Sequence, residues 1–187
     1  FYNLDYYLVN PFEILKIWNG GMSFHGGLLG VIVMSIWFAK KHSHNSYIYL
    51  DVVSLVAPVG IFFGRIANFI NSELYGKETA LPWGVKFEKI DEIYRHPSQL
   101  YEAFFEGLLL FIILIYFRKS SSSKNPGFIS GIFLIFYSTF RFLIEFLRIP
   151  DEQLGYVFFS FSMGQILCLV FFICLLYTSP SPRDAQL

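Results

Sequence analysis

The chain has 187 residues, of which 55% are hydrophobic and 20% aromatic, while charged residues make up 15%, against about 25% in ordinary soluble domains. One soluble core of this size has too little interior to hide so much apolar surface, so the composition excludes a soluble globular domain and leaves a polytopic membrane protein. The formal net charge is zero, which removes the electrostatic case for nucleic acid, and two cysteines, Cys168 and Cys174, are too few for a disulfide framework.

The chain opens FYNLDYYLVN, without an initiator Met or a signal-like start, which reads as a segment lacking its true N-terminus. A spanning helix takes about 20 mostly apolar residues. The first predicted span runs from Ser23 to Ala39 and stops at Lys40 and Lys41. The second runs from Tyr47 to Asn71. A long mixed-charge loop, Ser72 to Pro97, follows; its LPWGVKF stretch suits a short extended or interfacial piece, with Trp83 at headgroup level. The third span covers Ser98 to Phe117 and stops at Arg118 and Lys119. SSSSKNPG, Ser120 to Gly127, is a polar turn with a helix-stopping Pro. The fourth span covers Phe128 to Leu147, and a fifth starts near Val157. The predicted fold class is therefore all-α, a polytopic transmembrane helix bundle of about five spans in one domain over residues 1–173. The remaining CLLYTSPSPRD, Cys174 to Asp184, reads as the translation of a sequencing adapter, so residues 174–187 are expected to be a non-native tail; an ordinary polar tail is the alternative.

Basic residues set the orientation. Lys40 and Lys41, and then Arg118, Lys119 and Lys124, lie in short loops without acids, which places those loops in the cytoplasm. The long loop 72–97 and the segment Arg148 to Tyr156 then lie outside. On this topology the unexpected polar residues collect at the outer end: His25 on the first span, Arg65, Asn68, Asn71 and Glu73 on the second, His96, Gln99 and Glu102 at the start of the third, and Tyr137, Arg141, Glu145 and Arg148 on the fourth. Ionisable groups at membrane depth are costly unless paired or wetted, so each marks a functional hypothesis.

Spacing adds detail. Tyr137, Arg141 and Glu145 stand at i, i+4 and i+8 and share a helix face. Two guanidinium forks, Arg65 and Arg141, facing one cavity would bind a phosphate, and phospholipid headgroups are the phosphates present at that depth. Plainer readings exist for each residue alone. Arg141 and Glu145 can be an intrahelical pair, Arg65 can snorkel, and Asn68 and Asn71 can join helices by hydrogen bonds. Glu106 can be a bundle-interior partner of an Arg. His25 can be a structural histidine or a proton-transfer group, and Gly26, Gly27 and Gly30 suit helix packing. Two non-enzymatic classes compete: a channel or transporter, which would spread charges along a pathway, and a phospholipid-binding subunit.

The stretch GRIANFINSELYG, Gly64 to Gly76, resembles the signature of the prolipoprotein diacylglyceryl transferase family. HGGLLG at His25 to Gly30, RHPSQLYEA at Arg95 to Ala103 and YSTFRFLIEFLRIPD at Tyr137 to Asp151 resemble the same family in the same order. The resemblance implies a multi-pass bacterial inner-membrane enzyme with its site toward the outer side. It implies transfer of the diacylglyceryl group of phosphatidylglycerol to the lipobox cysteine thiol of a preprolipoprotein signal peptide, with no metal or organic cofactor. Under that resemblance Arg65, Asn68, Glu73, Gly76 and Glu145 are expected to bind substrate or orient the arginines, and Asn71 and Glu102, placed at the same end by the topology, are expected to join them in binding substrate. Arg141 is expected to hold the phosphate, and His25 or Tyr137 to take the proton. On that resemblance the family's N-terminal segment is expected to have no counterpart here, and its last helix to be missing or replaced by the tail.

Overall fold

The computed structural model describes residues 24–120 and 124–149, together with Val9, 156–158 and 161–162. The chain divides into two units, Phe1–Leu50 and Asp51–Leu187. The described residues are mostly helical: α1 (Phe24–Lys41), α2 (Ser46–Asn71), α3 (Ser98–Arg118) and α4 (Phe128–Glu145). Two short antiparallel pairs accompany them, β1 (Val85–Lys86) with β2 (Tyr94–Arg95) between α2 and α3, and β3 (Tyr156–Phe158) with β4 (Phe161–Ser162) after α4.

Among the described residues three helices, α2, α3 and α4, are long and apolar enough to cross a membrane. The first predicted span does form a helix, α1. Its 18 residues include both Lys40 and Lys41, and it is not one of the three. The fifth predicted span begins on the extended pair β3–β4, and the rest of it, like the proposed tail 174–187, lies outside the described residues.

In the first unit, the Asn45 side chain accepts the N–H of Tyr47 at 3.0 Å and caps the start of α2. In the second unit, α4 is capped from another helix. Asp51, near the start of α2, accepts the N–H groups of Gly127 and Ser130, each at 2.8 Å. A carboxylate at a helix N-terminus satisfies free donors and opposes the positive end of the macrodipole, so this contact ties α2 to the entry of α4.

Helix α3 carries two stripes at four-residue spacing. Glu102, Glu106, Leu110 and Leu114 are all fully buried, whereas Phe104, Leu108, Ile112 and Tyr116 are 45–73% exposed. Carboxylates inside and aromatic or aliphatic groups outside invert the soluble pattern, which is the arrangement expected where lipid is the solvent. A four-residue repeat drifts by about 40° per step on an α-helix. The middle of α3, Ala103–Leu109, is π-helical, and its wider turn offsets that drift. Leu110 and Leu114 then meet Ile129 in the core, with Leu55, Phe133 and Phe136 packed around them.

Gly107 lies in the π-helical segment, against α2. A Cβ there would stand 2.7 Å from Phe62 Cβ and 2.9 Å from its Cα. The second contact is backbone, so no rotamer change relieves it. Gly107→Ala is expected to push α2 and α3 apart and to destabilise by about 1–3 kcal/mol, the usual range for overpacking. Thermal unfolding in detergent checks this; an unchanged melting temperature would show that the two helices do not rely on this approach.

The long loop 72–97 is folded onto the ends of the helices. Phe87 is buried between Phe69 and Tyr75, and the Arg95 guanidinium stacks over Tyr75 at 5.1 Å. Arg95 also donates from Nε and Nη2 to Asp91, which holds the Asp91 carboxyl below its ordinary range. Lys77 N–H donates to Leu147 O and its ammonium to Phe146 O, both at 2.9 Å.

Candidate active site

The site starts from a fully buried acid. Glu102, in the first turns of α3, lies between two guanidiniums from two other helices. Arg141 of α4 donates from Nη1 to Glu102 Oε1 at 2.7 Å, and Arg65 Nε of α2 lies 2.7 Å from Oε2. The Arg65 approach is a charge contact without an aligned hydrogen bond, since Oε2 has no donor pointing at it. Arg141 turns Nη2 toward Glu145 Oε2, one turn along α4, at 2.9 Å. Arg148, just past α4, stands 3.9 Å from Glu102 and 4.0 Å from Glu145. Side-chain exposure falls from 19% at Arg65 to 13% at Arg141, 8% at Glu145 and 7% at Arg148. Arg65 and Arg141 are thus the charged members with the most surface left to offer a ligand.

Such a cluster has chemical consequences. A desolvated charge network is tolerated only if its members satisfy one another. Two forks clamped by a shared carboxylate keep their planes fixed, and the donors not used by Glu102 and Glu145 remain available to a further anion. Aspartate, glutamate, histidine and cysteine do not gather in any group of three able to hold a metal among the described residues.

The GRIANFINSELYG stretch is positioned by α3. After Asn71 the backbone turns through two residues of positive φ, Ser72 at 62° and Leu74 at 54°. Leu74 is a bulky residue in a region that bulky residues avoid, a strain that persists only where neighbours impose it. The neighbours are two fully buried side chains: Ser98 Oγ donates to Leu74 O at 3.0 Å, and Gln99 Nε2 donates to Glu73 O. Glu73 N–H returns to Asn68 O at 2.9 Å. Gly76 closes the stretch between two strands of backbone. A Cβ there would lie 2.6 Å from His96 O and 2.8 Å from Leu147 O, so only glycine fits.

The structure therefore brings together Arg65, Glu102, Arg141 and Glu145, which the sequence had placed on three separate spans. Asn68 is half-buried on α2, while Asn71 and Glu73 are exposed at its end. Among the described residues no ion pair joins Glu73 to Arg65; the acid on Arg65 is Glu102. Tyr137 stacks on Phe133, with ring centroids 5.5 Å apart. His25 is the second residue of α1, and its side chain lies outside the described residues. Ser98 and Asp51 were not singled out from the sequence, and Gln99 was noted there only as one of the polar residues at the start of the third span. Ser98 and Gln99 carry one signal, their place beside Glu102 in RHPSQLYEA; Asp51 carries only its own cost as an acid inside an apolar span.

The family model described as prolipoprotein diacylglyceryl transferase matches residues 1–179. The chain belongs to the prolipoprotein diacylglyceryl transferase family. Curated relatives named phosphatidylglycerol–prolipoprotein diacylglyceryl transferase agree. The chain is similar to one from Rickettsia bellii, 54% identical over 169 residues, which cover 90% of this chain and 64% of the relative. It is similar to one from Nitratidesulfovibrio vulgaris, 54% identical over 174 residues with the same two coverages. A third, from Aeromonas hydrophila, is 52% identical over 89% of this chain and 60% of its own length. The chain thus spans a little under two thirds of these diacylglyceryl transferase relatives.

Proposed function

We propose that the chain carries the phospholipid site of an enzyme that transfers the diacylglyceryl group of phosphatidylglycerol to the lipobox cysteine thiol of a bacterial preprolipoprotein. The observation that carries this reading is the Arg65–Glu102–Arg141 clamp, assembled from three helices each long and apolar enough to cross a membrane. The names of the relatives point to the same substrates.

In this reaction the thiol sulfur forms a bond to the terminal glyceryl carbon of the lipid, and the bond from that carbon to the phosphate oxygen breaks. Glycerol phosphate leaves, and the thiol proton passes to a base and then to the medium or to the departing phosphate. The thiolate is the better nucleophile, and a free thiol has a pKa of about 8.5, so a base beside it accelerates attack. His25 takes that role, with Tyr137 the alternative. Departure builds negative charge on the phosphate, which Arg65 and Arg141 stabilise by donors already in place. Glu102 and Glu145 orient those donors. Asn68 and Asn71 hold the glycerol and ester region, and the turn Glu73 to Gly76 shapes its edge. The bundle of about five spans sits in the inner membrane, with loops at Lys40–Lys41 and Arg118–Lys124 in the cytoplasm and the site toward the outer face. No cofactor takes part.

The test is a full-length chimera in which this chain's matched residues replace those of the Rickettsia bellii relative. Given phosphatidylglycerol and a lipobox peptide, it is expected to yield a lipid-shifted peptide and glycerol phosphate. Lipid binding without transfer would favour a phospholipid-binding subunit instead, and neither binding nor transfer would sink the reading.

A further inference from the structure

One buried carboxyl is left unused by this chemistry. Glu106 lies on α3 one turn beyond Glu102, fully buried, and neither of its oxygens has a hydrogen-bond donor among the described residues. Its nearest cation is Arg141, with Nη1 at 3.8 Å, and that nitrogen already donates to Glu102 at 2.7 Å. The other acids of the cluster are better served: Glu102 has two guanidiniums at 2.7 Å and Glu145 has one at 2.9 Å. The charged groups around Glu106 are Arg65 from α2, Arg141 and Glu145 from α4, Arg148 beyond it, and Glu102 on its own helix.

An ionised carboxylate without water or donors is among the costliest groups to bury, whereas a neutral carboxylic acid costs far less. Protonation also changes what the cluster offers. With Glu106 ionised, three carboxylates cancel three guanidiniums and the cluster has no net charge to set against an anion. With Glu106 neutral, three guanidiniums face two carboxylates and one positive charge is left over. We propose that Glu106 carries its proton in the resting site, so that the cluster presents one net positive charge, the complement of a lipid phosphodiester bearing one negative charge. The inference rests on the reading that an anionic phospholipid binds at Arg65 and Arg141. Glu106 is then a positioning residue, acting through Arg141 and not on the lipid itself.

Two measurements test it on the chain in nanodiscs. Infrared spectra at neutral pH are expected to hold a protonated-carboxyl band that shifts on carbon-13 glutamate labelling and disappears in Glu106→Gln. Absence of any such band in the labelled wild type, or loss of a carboxylate band in the variant, would overturn the proposal; the labelling arm needs no variant to fold. In mixed nanodiscs, wild type is expected to retain phosphatidylglycerol over phosphatidylcholine at neutral pH and to lose that preference as alkaline pH ionises Glu106. Glu106→Gln should keep its preference through the same pH range. Equal alkaline loss in both proteins would also overturn the proposal. An acid band without any lipid preference would overturn the anionic-lipid reading instead, so the two failures are told apart.

Discussion

Glu102→Ala is expected to cost more stability than any other single change in the cluster, about 3 kcal/mol or more. The acid is fully buried and joins Arg65 of α2 to Arg141 of α4 at 2.7 Å on each side. Removing it strands two guanidiniums at membrane depth, each with its partner gone or halved. Glu145 still serves Arg141, so Arg65 bears most of the loss. The check is a denaturant titration in detergent, with Arg65→Met/Glu102→Met as the companion. If the cost comes from uncompensated charge and not from lost volume, the double variant should recover a large part of it, because Arg65 is then removed along with its acid and Arg141 still has Glu145. A Glu102→Ala protein as stable as wild type would mean that the clamp does not hold the helices together.

Arg141 should dominate activity in the same way. Arg141→Lys keeps the charge but loses the planar fork that serves Glu102 and Glu145 at once. Transfer by the full-length chimera is expected to fall by about 10²-fold or more, as when one preorganised donor is removed from a developing anion, and Arg141→Ala should fall further. The loss is expected mainly in kcat, since the phosphate gains charge only as it departs. Normal activity in both variants would remove Arg141 from the phosphate site.

How much of this was legible in the sequence depended on which interactions set each feature. The limits of α2, α3 and α4 were readable to within a few residues, because bilayer thickness fixes their length and charged or polar residues mark their ends. The presence of Arg65, Glu102, Arg141 and Glu145 at one depth was readable for the same reason. Which acid serves which arginine was not. Glu73 lies near Arg65 in sequence, yet the turn at Ser72 and Leu74 carries it to an exposed position, and Glu102 arrives from α3. Pairings between helices depend on rotations that spacing along one helix does not encode. The left-handed turn was hidden because neither Ser72 nor Leu74 is a glycine; the residues that impose it, Ser98 and Gln99, are about 25 positions away. Asp51 was hidden likewise, since its partners at the start of α4 stand more than 75 positions downstream.

The paired ladders of α3 make that helix intolerant of slippage. Glu102 and Glu106 stand on the same ladder as Leu110 and Leu114, about half a turn from Phe104, Leu108, Ile112 and Tyr116. Inserting or deleting one residue near position 109 would leave both glutamates where they are but turn the downstream half of the helix by about 100°, moving its leucine seam out of the core and bringing Leu109 and Ile113 (insertion) or Phe111 and Ile115 (deletion) to the spaces shaped for Leu110 and Leu114. Homologous proteins of varied loop length should therefore share an unbroken count of residues across this one segment.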